Sequence, residues 1–422
     1  MTVARGRVWL RVAAGLAACA ACSPRAAELR LKATSQASPV PAGARVPELA
    51  RLPGGGVLLS WLAPLDGGGY RFELAVGRGA SWSAPRRVAE GQDLTMSAAD
   101  LPGVAAFSAG ALLAHWGVRD PASRDPYAQK VTLAVSADEG RTWSAPFVPH
   151  RDGVAGDHAF VSTFPVGPGL GLVWLDGRRQ RYAPPEPARG EGQWLGSVGL
   201  YSTTVGSSGE LGPETAVDPV TCECCPTAAA VGSRGPIVAY RNRSGPDEGE
   251  GLRYDQDAVR DIYVVRLDRG HWTAPQRVHA DNWVFNGCPD NGPAVAADGE
   301  RVVVAWWTAV DNQGAVKLAF SKDGGATFGP ATRVDEGLGL GQVTVAAVRA
   351  GAVVGWLEGG ETRARLVGAD GRKGPVLSLG RAAPHSRLPR WLPDGDEVIA
   401  AWSESADSGN EASVRLARLQ IE

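Results

Sequence analysis

Helical periodicity is missing from this chain of 422 residues: no long segment spaces its apolar residues 3.6 apart, so helix is expected to be scarce. An excess of charge of one sign is missing too. With 43 Lys and Arg against 45 Asp and Glu, the formal net charge is −2 and the pI is near 6.3. That leaves no basic field for a phosphate backbone, so nucleic acid is excluded as a partner, and no nucleotide cofactor is expected. No Pro/Ser-rich linker is long enough to separate independent units, so one large domain is expected although the length would suit two or three. Cysteine is sparse, at six residues. Turn formers are abundant, with 55 Gly and 30 Pro.

The turns recur in a pattern. Ser136-Ala137-Asp138-Glu139-Gly140-Arg141-Thr142-Trp143 returns as Ser321-Lys322-Asp323-Gly324-Gly325-Ala326-Thr327-Phe328. Worn copies stand at Gly77–Trp82 and Asp268–Trp272, with Pro85 and Pro275 just beyond. Asp can accept hydrogen bonds from the following amides and Gly supplies positive φ, so each copy reads as a tight hairpin turn. A second periodic signal runs in phase with it. Apolar runs end in an aromatic residue at Trp61, Trp116, Trp174, Tyr240, Trp306, Trp356 and Trp402, spaced 55, 58, 66, 66, 50 and 46 residues apart. One four-stranded sheet per repeat fits that spacing, and radial packing of such sheets buries their faces.

The pattern S-x-D-x-G-x-T-W resembles the Asp-box (BNR) repeat of the sialidase superfamily, which implies an all-β fold: a single β-propeller of four-stranded blades. Seven blades are expected, with six, the usual number in sialidases, as the alternative. The last repeat offers three strands, near Leu388–Trp391, Val398–Trp402 and Ser413–Gln420, so the alternating segment Glu28–Thr34 is expected to supply its fourth and close the ring.

Before that strand come Arg5, Arg7 and Arg11, a short apolar stretch from Val12 to Ala18, and then Leu16-Ala17-Ala18-Cys19. A basic start, an apolar run too short to span a membrane and a small-residue site together read as a secretory signal. Leu-Ala-Ala-Cys is similar to a bacterial lipobox, which implies cleavage before Cys19 and lipid on its sulfur; Ala20 after it favours outer-membrane delivery. The expected organisation is a signal peptide over 1–18, a tether over 19–27 and the propeller over 28–422. It would be membrane-attached through the lipid, facing the periplasm or the surface, as a monomer or a member of an envelope complex.

In a propeller the residues just before each innermost strand converge on one mouth of the axial channel. Arg45, Asp157 with His158, Cys224 with Cys225, Cys288 with Asp290, and His385 with Arg387 hold such positions. Cys222, Cys224, Cys225 and Cys288 form either a disulfide tying two blades or a metal or redox site, for which His158 and His385 could add ligands to thiolates. His115, His150, His271 and His279 read as packed or solvated residues. Arg45-Val46-Pro47 resembles the Arg-Ile-Pro motif that opens sialidases, which implies that Arg45 grips a substrate carboxylate. Arg387-Leu388-Pro389 repeats the pattern, so it is equally a strand-start feature. The tyrosine nucleophile that the resemblance implies for the later part of the ring has no match, because no tyrosine follows Tyr263. Arg253, Tyr254, Asp255, Arg260 and Asp261 form a charged loop able to bind a polar ligand or an ion. A glycan-directed role follows from the resemblance, either as a divergent exo-glycosidase or as a carbohydrate binder. A cysteine-based centre and an envelope scaffold are the alternatives.

Overall fold

The computed structural model describes residues 1–2, 29–96, 100–123, 125–183, 193–244, 258–337, 339–383, 388–405 and 412–422. Seven antiparallel sheets form a β-propeller. The first blade runs Arg45–Arg51, Val57–Pro64, Tyr70–Arg78 and Arg86–Gly91, and the second Gly103–Ala106, Leu112–Arg119 and Gln129–Ser136, with Phe147 bridged to Leu133 at its outer edge. The third consists of His158–Val166, Gly169–Asp176, Val198–Val205 and Thr215–Thr221, and the fourth of Ala228–Gly232, Gly235–Arg241, Ile262–Asp268 and Gln276–Arg277. Ala294–Asp298, Arg301–Thr308, Ala315–Ser321 and Thr332–Arg333 make the fifth, and Gly339–Val348, Gly351–Glu358, Glu361–Gly368 and Leu377–Arg381 the sixth. In the seventh, Arg390–Asp394, Glu397–Ser405 and Ala412–Ile421 are joined by the N-terminal strand Leu31–Gln36, which pairs from Leu31 opposite Ile421 to Gln36 opposite Leu416. The ring is thereby closed, and the strand edge of Ala412–Ile421 is covered. The only helix among the described residues is the short 3-10 turn Val310–Asn312.

All seven aromatic runs are the second strands of their blades, which sets the six-bladed alternative aside. Trp61, Trp174, Tyr240, Trp306 and Trp356 are fully buried between neighbouring sheets. A buried indole or phenol needs a partner for its polar hydrogen. Here each finds a carboxylate: Trp61 donates to Glu73 at 3.0 Å, Trp174 to Asp176 at 2.7 Å, Tyr240 to Asp218 at 2.5 Å, Trp306 to Asp281 at 2.7 Å and Trp356 to Glu358 at 3.0 Å.

The two full turn repeats share one geometry. Thr142 donates to Asp138 through its amide and its hydroxyl, both at 2.8 Å, and the Gly140 amide donates to Ser136 Oγ at 2.8 Å. Thr327, Asp323, Gly325 and Ser321 repeat these bonds. The donors hold the carboxyls of Asp138 and Asp323 down to about 2. Gly325 has φ of +82°, and a Cβ there would come within 2.3 Å of the Ile237 side chain in the neighbouring blade. Gly325→Ala is therefore expected to destabilise the protein by about 2 kcal/mol, the strain of a left-handed alanine plus the clash, which urea denaturation would measure. A change under about 0.5 kcal/mol would show that the turn does not need the glycine.

Candidate active site at the channel mouth

Innermost strands from all seven blades line an axial cavity of about 420 Å³. At one end the strands do not start regularly. The first, third and sixth blades each carry a bulge there, with Val46, Phe160 and Gln342 at positive φ. That conformation costs on the order of 1–3 kcal/mol per residue unless its surroundings hold it. Each of these amides is held by a side chain from a neighbouring blade or loop: Val46 by Ser403 Oγ at 3.2 Å, Phe160 by Asp100 Oδ1 at 2.8 Å and Gln342 by Asn291 Oδ1 at 2.7 Å.

Asp100 and Asn291 thus perform the same backbone task, one just before the second blade and the other just before the fifth. Neutral Asn suffices for it, so the charge of Asp100 needs another explanation. Its second oxygen accepts from Gln129 Nε2 at 2.9 Å, and Gln129 also hydrogen-bonds Asp157, so one amide links two carboxyls. The amide orientation is held by Thr95 Oγ1 on Gln129 Oε1. Burial raises both carboxyls. Asp100 is pushed up to about 6, against the pull of its hydrogen bonds from Phe160 and Gln129. Asp157 is pushed up to about 8, where burial is reinforced by the neighbouring charge of Asp100. Both keep some solvent contact, and Asp100 lines the cavity, whereas Asp157 Oδ1 is itself buried and has no hydrogen-bond partner among the described residues. At neutral pH the pair therefore holds one proton, chiefly on Asp157. His115 lines the cavity nearby, and burial lowers it to about 4, so its ring is neutral.

The other expected site residues fall in several places. Arg45 begins the innermost strand of the first blade, and its Nε has no hydrogen-bond partner among the described residues. His158 follows Asp157 in the chain but is fully buried, turned into a network between the second and third blades. Its Nε2 lies 2.8 Å from Asp152 and 3.6 Å from Asp176, its Nδ1 3.2 Å from Gly156 O, and its ring stacks on His150 at 3.8 Å. Arg178 donates from Nη2 and Nε to Asp176, both at 2.7 Å, and reaches Asp152 at 3.1 Å and Glu214 at 2.6 Å. Although His150, Asp152 and His158 approach one another closely enough to share an ion, the Arg178 guanidinium already supplies the positive charge there.

Arg260 is fully buried, paired with Glu223 at 3.1 Å and donating to the carbonyls of Phe285 and Gly287. Asp261 accepts from the amides of Asn282 and Trp283 and pairs with Arg277. Both are thus engaged in holding the loop around Trp283. Cys224 and Cys288 form a disulfide, while Cys222 and Cys225 are free and buried. Cys19, Arg253, Tyr254, Asp255, His385 and Arg387 lie outside the described residues.

Asp100 and Gln129 are absent from the sequence-based candidates. Asp100 could have been found, since it stands three residues before Gly103, where the second innermost strand begins. Gln129 starts a third strand and carries no motif.

No protein-family model matches the chain, and no curated protein matches it. Solved structures do. The ring is similar to the polysaccharide lyase Uly1, with a TM-score of 0.52 at 9% identity, over 91% of each chain. It is also similar to a protein of unknown function from Dyadobacter fermentans, with a TM-score of 0.48 at 13% identity over 94% of this chain and 99% of that one. A third is a mutant of the NanB sialidase from Streptococcus pneumoniae, with a TM-score of 0.47 at 9% identity over 87% of this chain and 84% of that one. The likeness to Uly1 bears on the fold, that of a β-propeller.

Proposed function

We propose that this protein cleaves glycans at the mouth of its axial channel, with Asp157 as the proton donor and Asp100 as its ionised partner. The observation that carries this reading is the pair itself: two carboxyls joined through Gln129, raised to about 6 and about 8, with a buried, unpartnered oxygen on Asp157. Carboxyls pushed apart in acidity are what breaking a glycosidic bond uses. The acid form of Asp157 gives its proton to the departing oxygen, while the Asp100 carboxylate stabilises positive charge on the sugar or takes a proton from water. Neutral His115 is placed to meet sugar hydroxyls. The fold shared with a polysaccharide lyase makes glycans the first substrates to try.

The test is a panel of fluorogenic glycosides, sialosides included, together with uronate-containing polysaccharides followed by the absorbance of an unsaturated product. Turnover of one class, lost in Asp157→Asn, is the expected result. No turnover on any of them, with no signal on a glycan array, would remove the reading.

The same proposal has the chain exported, cleaved before Cys19 and held at the bacterial envelope by acyl chains there. Labelled palmitate should enter the protein and not the Cys19→Ala variant, which should be released from membranes. Equal labelling of both would rule out Cys19 as the anchor.

A further inference from the structure

Four sulfurs gather where the loops entering the fourth and fifth blades meet, and they differ sharply in access. The disulfide partner Cys288 is exposed and Cys224 is half-buried, whereas Cys222 is 0% and Cys225 1% exposed. Cys222 Sγ lies 4.0 Å from Cys224 Sγ and 3.3 Å from Cys225 Sγ. The sulfurs therefore form a series, Cys225, Cys222, Cys224 and Cys288, each close to the next, that runs from the buried pair to the exposed Cys288. Cys222-Glu223-Cys224-Cys225 is also a C-x-x-C pair with a bridged cysteine inside it, a spacing that closes readily into a disulfide.

We propose that these four cysteines form a thiol–disulfide relay, in which the exposed Cys224–Cys288 bridge and the buried Cys222/Cys225 dithiol exchange one pair of electrons. In the first step Cys222 Sγ, as thiolate, attacks Cys224 Sγ. The Cys222–Cys224 bond forms, the Cys224–Cys288 bond breaks, and Cys288 leaves as a thiolate that takes a proton from solvent. In the second, Cys225 gives up its proton and attacks Cys222 Sγ, forming Cys222–Cys225 and releasing Cys224, which is protonated in turn. One dithiol is oxidised and one disulfide reduced, so no outside oxidant is needed. The ligands of the site are small thiols and disulfides, or exposed dithiols of other proteins, reacting at Cys288.

The surroundings favour Cys222 as the attacking group. Burial alone would raise its thiol, but the hydrogen bond with Cys225 and the Arg260 guanidinium outweigh it and hold Cys222 below the ordinary thiol range. Burial and the neighbouring Cys222 hold Cys225 well above that range, so it reacts second. The buried Arg260 and Arg241, whose charges both act on Cys222, thus acquire a role that holding loop carbonyls does not require.

The full-length protein, poised at one bridge among these cysteines in a glutathione buffer, would be acid-quenched, alkylated, digested and mapped by mass spectrometry. The expected map contains molecules with Cys222–Cys225 bridged and Cys288 alkylated, and a Cys222–Cys224 bridge, the intermediate, also supports the relay. Cys222→Ser should retain Cys224–Cys288 alone and leave Cys288 unalkylated. The wild-type map decides even if that variant folds poorly. Cys224–Cys288 as the sole single-bridge species at every potential would overturn the relay. So would a Cys222–Cys225 bridge found only in molecules whose Cys224–Cys288 bridge is intact.

Discussion

Asp157→Asn is expected to lose turnover by about 10²–10⁴-fold and, in the same protein, to gain stability as the pH rises. The gain follows from the raised carboxyl. Below an ordinary value of 3.8 the folded and unfolded chains both hold the proton, and the substitution is close to neutral. Between there and about 8 the unfolded chain has released its proton while the folded one keeps it, so wild-type stability falls with rising pH. Asn carries no such charge. Each pKa unit is worth about 1.4 kcal/mol, and because Asp157 keeps some contact with water, the advantage of Asn above pH 8 should reach on the order of 3 kcal/mol rather than the full difference. Urea denaturation of both proteins across that range would measure it, and an advantage of the variant over wild type no larger at high pH than at low would show that Asp157 is not held protonated.

Asp100→Asn separates the chemistry from the scaffold. Asn291 already performs the capping task in the fifth blade, so Asn at position 100 should still hold the Phe160 amide while removing the carboxylate and the oxygen that accepts from Gln129. For the wild type, kcat/KM should fall below about 6 as Asp100 takes a proton and above about 8 as Asp157 loses one. A pH-independent rate, or full activity in Asp100→Asn, would remove the pair from the mechanism.

The ring was legible because its signals are local and repeated. A hairpin turn such as Ser136–Thr142 needs its Asp and Gly at fixed offsets, and second strands such as Val57–Pro64 and Gly351–Glu358 need continuous apolar runs because they lie between two sheets. A closing N-terminal strand followed from counting a missing edge in the last repeat; it was expected over Glu28–Thr34 and runs over Leu31–Gln36. The mouth was legible only as positions along the chain. Whether a residue at a strand start faces the channel or the seam between blades depends on the local bulge, and the one between Ala159 and Ser162 follows the point where Asp157 and His158 take different environments. Cys224, rather than Cys222 or Cys225, pairs with Cys288 for a similar reason: three cysteines within four residues share one reach, and only the turn of the loop selects among them. The raised pKa values of Asp100 and Asp157 were beyond reach from sequence, because they arise from burial and from residues drawn together from separate blades.

Arg178→Ala should be the most damaging substitution away from the mouth. Asp176 is fully buried, and the guanidinium supplies two of its hydrogen bonds while also engaging Asp152 and Glu214 and lying 3.9 Å from the centre of the Tyr201 ring. Truncation strands carboxylates in a place with little water, and breaking a buried pair from one side costs about 3–5 kcal/mol. Arg178→Lys should recover only part of this, since an ammonium cannot make the forked contact. His158 gives the loss a pH signature. Burial would lower its pKa, but Asp152 and Asp176 together raise it above 6.5, while burial and His158 itself lower stacked His150 to about 4. Of the two rings, His158 therefore takes the proton, and the stability gained from its charge is complete below 6.5 and is lost as pH rises through its folded value. With Arg178 gone, that imidazolium is the remaining cation beside both carboxylates, so the penalty should be smaller below pH 6.5 than at a pH above the folded value of His158. Denaturation at the two pH values tests this directly: an equal penalty at both would mean that His158 does not share the charge, and a loss under about 1 kcal/mol would mean that the network does not depend on Arg178.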